Sequence, residues 1–318
     1  MNILLWHVHA AWMTGFVQGK HTYLTPVDHD RGPYGRGRAR TYDWPESVVE
    51  VTAAELAAAD VDLLVAQRPE EIELARRLMG RTVPTVYVEH NTPRGDVPGT
   101  RHPLADRDDV VIAHVTHFND LFWDCGGTRT TVIAHGIVAP AARYTGALPR
   151  IGVAINEPVR RWRVTGTDLL TRFASVAPLD VFGMRVEELP AALGLPPDRV
   201  AAHEDPPQAR MHEELARRRL YLHPHRWTSL GLSLLEAMTM GMPVVVLAST
   251  EAVAAVPPDA GVLATDVADL VDAAQWLIDD PDAAARLGAQ ARRAALSRYG
   301  VDRFLADWDR LLEETRCA

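Results

Sequence analysis

Glu236 is the one charged residue in an otherwise apolar run, Leu232–Met240 (LSLLEAMTM). An ionised carboxylate among apolar neighbours is costly unless hydrogen bonds satisfy it. A pair of ligand hydroxyls is a suitable partner, because one carboxylate accepts from both. The alternative partner is a neighbouring Arg or a backbone group. Gly231 precedes the run and lets the backbone approach a neighbour closely. A second group with chemical potential lies upstream. Arg160, Arg161 and Arg163 crowd residues 156–163 together with Asn156, and guanidinium forks fit phosphate oxygens. Histidines form the third group. His90 and Asn91 follow an apolar run, and His7 and His9 stand two apart near the start. A metal pair at His7 and His9 lacks converging acidic or Cys ligands.

The elements that must carry these residues alternate. Residues 3–8 read as a first strand, which puts His7 and His9 on one face. A strand-to-helix turn follows with Thr14, Gly15 and Phe16, at the carboxyl end where α/β sheets bind ligands. Residues 51–59 read as a short helix, 61–66 as a strand, 70–79 as an amphipathic helix and 84–88 as a strand leading to His90. Residues 110–115 and 130–134 are further strands. Near 139–149 the sequence APAARYTGALP breaks the pattern and reads as a linker. Beyond it, 150–155 is a strand, 156–163 a loop, and 166–176 a helix. The strand at 179–182 ends in Gly183 and Met184. Residues 211–219 read as a helix, and Tyr221–Leu247 as strand, polar loop, buried helix and strand. Gly241 and Pro243 stop that helix. Three helices close the chain at 267–278, 281–299 and 301–314. Strands alternating with helices imply parallel doubly wound sheets.

Composition narrows the function classes. A length of 318 residues suggests two domains, and a hydrophobic content of 47% provides ample core. A formal charge of −9 argues against a general nucleic-acid binder. The two cysteines, Cys125 and Cys317, have neither metal nor redox spacing, which fits a reduced, cytoplasmic setting. The first residues run into a strand pattern without a cationic leader, and no apolar run reaches the ~20 residues of a membrane helix. Residues 28–40 (DHDRGPYGRGRAR) carry Arg31, Arg36, Arg38 and Arg40 among glycines. That segment reads either as a solvated loop or as a basic lid for an anionic group.

The order of pieces resembles the retaining family-four GT-B glycosyltransferases. Their motif has two glutamates separated by seven residues, E-x-F-G-x-x-x-x-E-A-M-x-x-G-x-P-V-V. In the same register stand Thr228, Ser229, Leu230, Gly231, Leu232, then Glu236, Ala237, Met238, Gly241, Pro243 and Val244. The tail matches. The head departs, with Thr228 in place of the first glutamate and Leu230 in place of an aromatic.

The resemblance implies two Rossmann-like domains facing a cleft. An acceptor-binding domain would span 1–142 and a nucleotide-sugar-binding domain 148–300. A terminal helix, 301–318, would pack back towards the first domain. Glu236 would hold the donor ribose. Thr228, Ser229, Leu230, Gly231, Leu232, Arg161, Gly183 and Met184 would complete the donor site. His90, Arg160 and Arg163 would act in catalysis, the arginines on the departing diphosphate. Thr14, Gly15, Phe16, His9 and Asn91 would meet the acceptor. The implied reaction transfers a hexosyl-type group from a UDP- or GDP-sugar to a small acceptor with retention. It needs no metal, no further cofactor and no membrane insertion. A nucleotide-sugar 2-epimerase of the same fold, or a nucleotide-sugar-binding protein without turnover, are the rival readings.

Overall fold

In the computed structural model, which describes residues 1–317, the chain divides into two compact units. Met1–Val138 and the segment from Val301 onward form unit 1, and Ala139–Gly300 forms unit 2. The division falls at the start of the proline-rich stretch.

Unit 1 is built on seven strands: β1 Asn2–Leu4, β2 Thr22–Pro26, β3 Val48–Val51, β4 Leu63–Ala66, β5 Thr85–Glu89, β6 Val110–His114 and β7 Arg129–Val132. Their order is β3-β2-β1-β4-β5-β6-β7, with every pairing parallel. β4, β5 and β6 are buried at every residue, as expected of strands covered on both faces. The order reverses between β1 and β4. That reversal opens a crevice at the strand carboxyl ends, the usual ligand position in such sheets.

The first strand is shorter than its pattern predicts. It ends at Leu4, because Trp6 and His7 turn aside. The Trp6 indole donates to Tyr34 O, and His7 Nδ1 bonds Gly37 O at 2.9 Å. His7 and His9 therefore do not share a strand face. β2 and β3 carry no sequence signal of their own strength. β2 holds two threonines and a proline, and β3 occupies the sheet edge.

Helix Val301–Cys317 belongs to unit 1. Its Phe304 and Trp308 enter an aromatic cluster with Trp12 and Phe16 of helix Ala10–Phe16. The Trp12–Phe16 and Phe16–Trp308 ring centroids are 4.9 and 5.0 Å apart. Arg303 of the same helix donates to Ala134 O and His135 O at 2.8 and 2.6 Å, and pairs with Asp307. A Cβ at Gly136 would strike the Phe304 side chain, so only glycine fits there.

Unit 2 is built on β8 Leu148–Ala154, β9 Leu179–Gly183, β10 Val200–Glu204, β11 Arg218–His223, β12 Val244–Leu247 and β13 Gly261–Ala264. Their order is β10-β9-β8-β11-β12-β13, again all parallel, and it reverses between β8 and β11. Ile151, Val153, Leu179, Val181, Leu220, Leu222 and Val245 centre its core. Residues 156–163 are not a loop. Helix Pro158–Thr165 begins there with Pro158 at its first position, and breaks at Trp162. The helix expected at 211–219 is Gln208–Leu215, and Arg218 already starts β11. Asp180 takes Arg150, Arg218 and His203 at 2.5, 3.0 and 2.9 Å. Burial disfavours its charge, but these hydrogen bonds prevail and hold the carboxyl well below the ordinary range.

Phe304→Ala should destabilise unit 1 by about 3–5 kcal/mol, the usual cost of an aromatic cavity. Urea unfolding followed by tryptophan fluorescence measures it. A loss below about 1 kcal/mol would show that the returning helix is not needed for packing.

Candidate functional site

In unit 2 the site grows from the carboxyl end of β11. His223 ends the strand, residues 224–230 form the loop, and helix Leu232–Met240 starts directly after Gly231. The loop is held from below. Arg226 N and Trp227 N donate to Val164 O at 2.9 and 3.2 Å. The Arg226 guanidinium grips Asp168 with both arms, at 2.6 and 2.9 Å. Gly166, at φ +71°, lies against Pro224 O where a side chain has no room. Gly231 has an ordinary φ of −71°. Its reason is internal to the protein, since a Cβ there would strike the His223 imidazole.

Glu236 projects from this helix and is 7% exposed. The Gln208 side-chain amide donates to Oε1 at 2.8 Å. His212 Nε2 stands 3.2 Å from Oε2, off the line of a hydrogen bond. Both partners come from helix Gln208–Leu215. No side chain caps the start of helix Leu232–Met240, where Leu234 N turns back to Gly231 O at 3.0 Å. Tyr221 and Ser233 share a hydroxyl contact of 2.8 Å beside it. His223 and His225 stack at 4.3 Å. Burial holds His223 down to about 3 and His225 well below the ordinary value.

The remaining predicted donor residues surround this centre unevenly. Thr228 is half-buried in the loop, Ser229 and Leu230 are buried, and Ser229 O accepts from Glu251 N at 3.4 Å. Arg163 pairs with Asp168 at 3.2 Å, and Arg160 pairs with Glu157. Both side chains remain largely exposed, 72% and 65%. Arg161 is half-buried near enough to His225 to lower its affinity for a proton. Gly183 has φ +143° and closes against Ile155 O. Met184 N donates to Asn156 Oδ1 at 2.9 Å, with its side chain exposed.

In unit 1 the carboxyl ends of β1, β5 and β7 bring histidines to one region. The His9 ring lies 4.0 Å from that of His90, and Trp12 meets His90 edge-on. His90 Nε2 and both ring nitrogens of His135 are enclosed and make no hydrogen bond. Burial lowers His9 to about 4, His135 to about 3 and His90 well below the ordinary value; His9 and His135 also oppose charge on His90, and His9 and Arg303 on His135. Asn91 N donates to Glu89 Oε1 at 2.6 Å, and Glu89 also bonds His102 at 2.9 Å.

Thr14, Gly15 and Phe16 fall outside this group. The Thr14 hydroxyl donates to Ala10 O and accepts from the Trp44 indole. Gly15 abuts Gly136 O, and Phe16 is core. The basic segment at 28–40 is anchored. Arg31 grips Glu50, and Arg38 donates to three carbonyls, Trp44, Pro45 and Val48. Arg36 and Arg40 are exposed. Sequence reasoning missed His135, Gln208, His212, Asp168 and Arg226. Gln208 and His212 offered one signal, a spacing that puts both on one helix face. Among the described residues no three His, Cys, Asp or Glu converge as a metal-binding group. No described helix is long and apolar enough to cross a membrane.

Residues 184–294 match the family model described as Glycosyl transferases group 1. No curated protein is a significant match to the chain. Three solved structures illustrate the likeness of fold. Sucrose-phosphate synthase from Thermosynechococcus elongatus has a TM-score of 0.72 at 15% identity, covering 99% of this chain and 98% of its own. Anabaena Alr3699/HepE in complex with UDP and glucose has a TM-score of 0.72 at 16% identity, covering 99% and 100%. A glycosyltransferase from Rickettsia africae has a TM-score of 0.67 at 13% identity, covering 99% and 98%. The two parallel-sheet units are those of the GT-B fold.

The histidine region predicts an acid sensitivity. Folded-state values of about 4 and about 3 for His9 and His135 lie below the ordinary 6.5, so the unfolded chain binds the extra protons. This stability is complete above about 6.5 and is lost as pH falls through the folded values. Ring-nitrogen NMR should show both imidazoles neutral at pH 5.5. A titration near 6.5 for either would overturn the buried assignment.

Proposed function

We propose that the chain is a nucleotide-sugar glycosyltransferase of the group 1 kind, with the donor on unit 2 and a small hydroxyl acceptor on unit 1. The observation that carries this reading is Glu236. It is a buried carboxylate without an arginine or lysine partner among the described residues, set in the matched segment directly behind an uncapped helix start. The pairing suits a nucleoside diphosphate. The carboxylate accepts from the ribose hydroxyls, and the helix N–H groups receive the diphosphate, helped by the helix dipole.

Donor cleavage breaks the bond between the anomeric carbon and the diphosphate oxygen. The acceptor oxygen forms the new bond, and its proton passes to the departing phosphate. No carboxylate base is then required, and retention follows from attack on the face the diphosphate leaves. Arg160, Arg161 and Arg163 supply positive charge to that leaving group. The exposed pairs of Arg160 with Glu157 and of Arg163 with Asp168 hold weakly, so exchange for a phosphate costs little. Charge stabilisation of the leaving group is the largest expected contribution to rate. In this reading no metal takes part and UDP or GDP carries the sugar. Thr228 offers one neutral hydroxyl where the family motif has a carboxylate, so the contact to the donor sugar at this position is shorter and uncharged.

Thermal-shift measurements with UDP, GDP and their sugars identify the donor. Glu236→Gln should weaken calorimetric binding of the responding nucleotide by roughly tenfold or more, a charged hydrogen bond's worth. Unchanged binding would remove the ribose role. Incubation with the donor and acceptor sugars should yield free nucleotide and a mass-shifted acceptor. An isomerised donor would instead establish an epimerase, and binding without turnover a sugar-nucleotide receptor. Arg163→Ala should lower kcat by about 10²-fold, the scale of a lost charge-stabilising donor. A normal rate would assign the leaving group to Arg160 or Arg161.

A further inference from the structure

The Glu236 carboxylate is already positioned before any ligand arrives. Its helix alone does not do this, since a Glu side chain retains three rotatable bonds. Gln208 Nε2 fixes Oε1 at 2.8 Å, and His212 Nε2 flanks Oε2 at 3.2 Å. The two stand one helical turn apart, so one face of helix Gln208–Leu215 presents both. Pro206 and Pro207 restrict the chain at the entry to that helix, and Asp205 N is tied to Gly183 O at 3.0 Å. His212 is itself buried, with its Nε2 making no hydrogen bond.

A carboxylate has about four acceptor directions, two on each oxygen. The Gln208 amide occupies one on Oε1, and the His212 imidazole covers one side of Oε2. That leaves acceptor capacity on each oxygen. A cis-diol offers two donors at that spacing, one for each oxygen. A permanent cation in place of Gln208 would compete with the diol for the same charge. An amide orients the carboxylate and leaves that charge for the ligand.

We propose that Gln208 and His212 are positioning residues that aim Glu236 at a vicinal diol, and so make the site selective for ribonucleotides over nucleotides lacking the ribose hydroxyls. This rests on the ribose role of Glu236 and extends it to two residues outside the recognised motif. Neither touches the reacting atoms.

The test is calorimetry on the full chain with UDP, GDP and the 2′,3′-dideoxy form of each. Wild type should bind the responding ribonucleotide about tenfold or more tightly than its dideoxy form, the scale of hydrogen bonds to a charged group. Gln208→Met keeps the volume and removes the donor. It should weaken the ribonucleotide about tenfold and leave the dideoxy form unchanged, so that the ratio falls towards one. His212→Asn should lower the ratio in the same direction by a smaller factor, with circular dichroism confirming the fold of both variants. A wild-type ratio of one would overturn the ribose role and this proposal together. A wild-type preference that survives Gln208→Met and His212→Asn, or an equal loss for both nucleotide forms, would overturn this proposal alone. Should Gln208→Met not fold, His212→Asn decides by the same ratio.

Discussion

Glu236 sits 7% exposed on a helix whose buried neighbours are Leu234, Leu235, Ala237, Met238, Thr239 and Met240. An ionised group in such surroundings must be hydrogen-bonded, or the fold loses several kcal/mol. Much of the local architecture of unit 2 follows from that requirement. Helix Gln208–Leu215 is placed to bring an amide and an imidazole to the carboxylate. The loop after β11 is pinned by Arg226 on Asp168 and by the Gly166–Pro224 contact, which sets where helix Leu232–Met240 begins. Gly241, left-handed at φ +91°, then ends the helix and sends the chain into β12.

Unit 1 follows a different logic. Its histidines are kept uncharged by burial, and His90 Nε2 and both His135 ring nitrogens are enclosed without a hydrogen bond. The cations that act on these rings are already engaged: Arg68 with Glu71, and Arg303 with Asp307 and two carbonyls. The helix from Val301 onward stabilises this region by covering Gly136 with Phe304 and tying the Ala134 and His135 carbonyls to Arg303. The segment that holds the last of the three histidines is thus secured by residues about 170 positions later in the chain.

Much of the secondary structure was legible because parallel strands buried on both faces read as unbroken apolar runs. β4 and β12 are of this kind. β2 escaped notice because threonine and proline interrupt its run, and its pairing with β1 and β3 decides its conformation. Residues 156–163 read as a loop because three arginines and a proline mask the helix, yet proline at the first position is compatible with helix. The first strand was overextended at its carboxyl end, since Leu5, Trp6 and Val8 are apolar but Trp6 and His7 are drawn off to Tyr34 and Gly37. Thr14, Gly15 and Phe16 lie in helix Ala10–Phe16 and are buried.

By itself the sequence determined the doubly wound class, the position of Glu236 in an apolar helix, and the register of the Glu-Ala-Met and Gly-x-Pro-Val-Val segments. Those are local patterns, set by hydrophobic period and by turn residues a few positions apart. Only the tertiary structure decided what Glu236 touches, which arginines are already paired, and that His135 joins His9 and His90. Gln208 and His212 lie 28 and 24 residues from Glu236 in the chain and meet it through the packing of two helices. No local pattern encodes such a contact, because it depends on how the whole sheet places its crossovers.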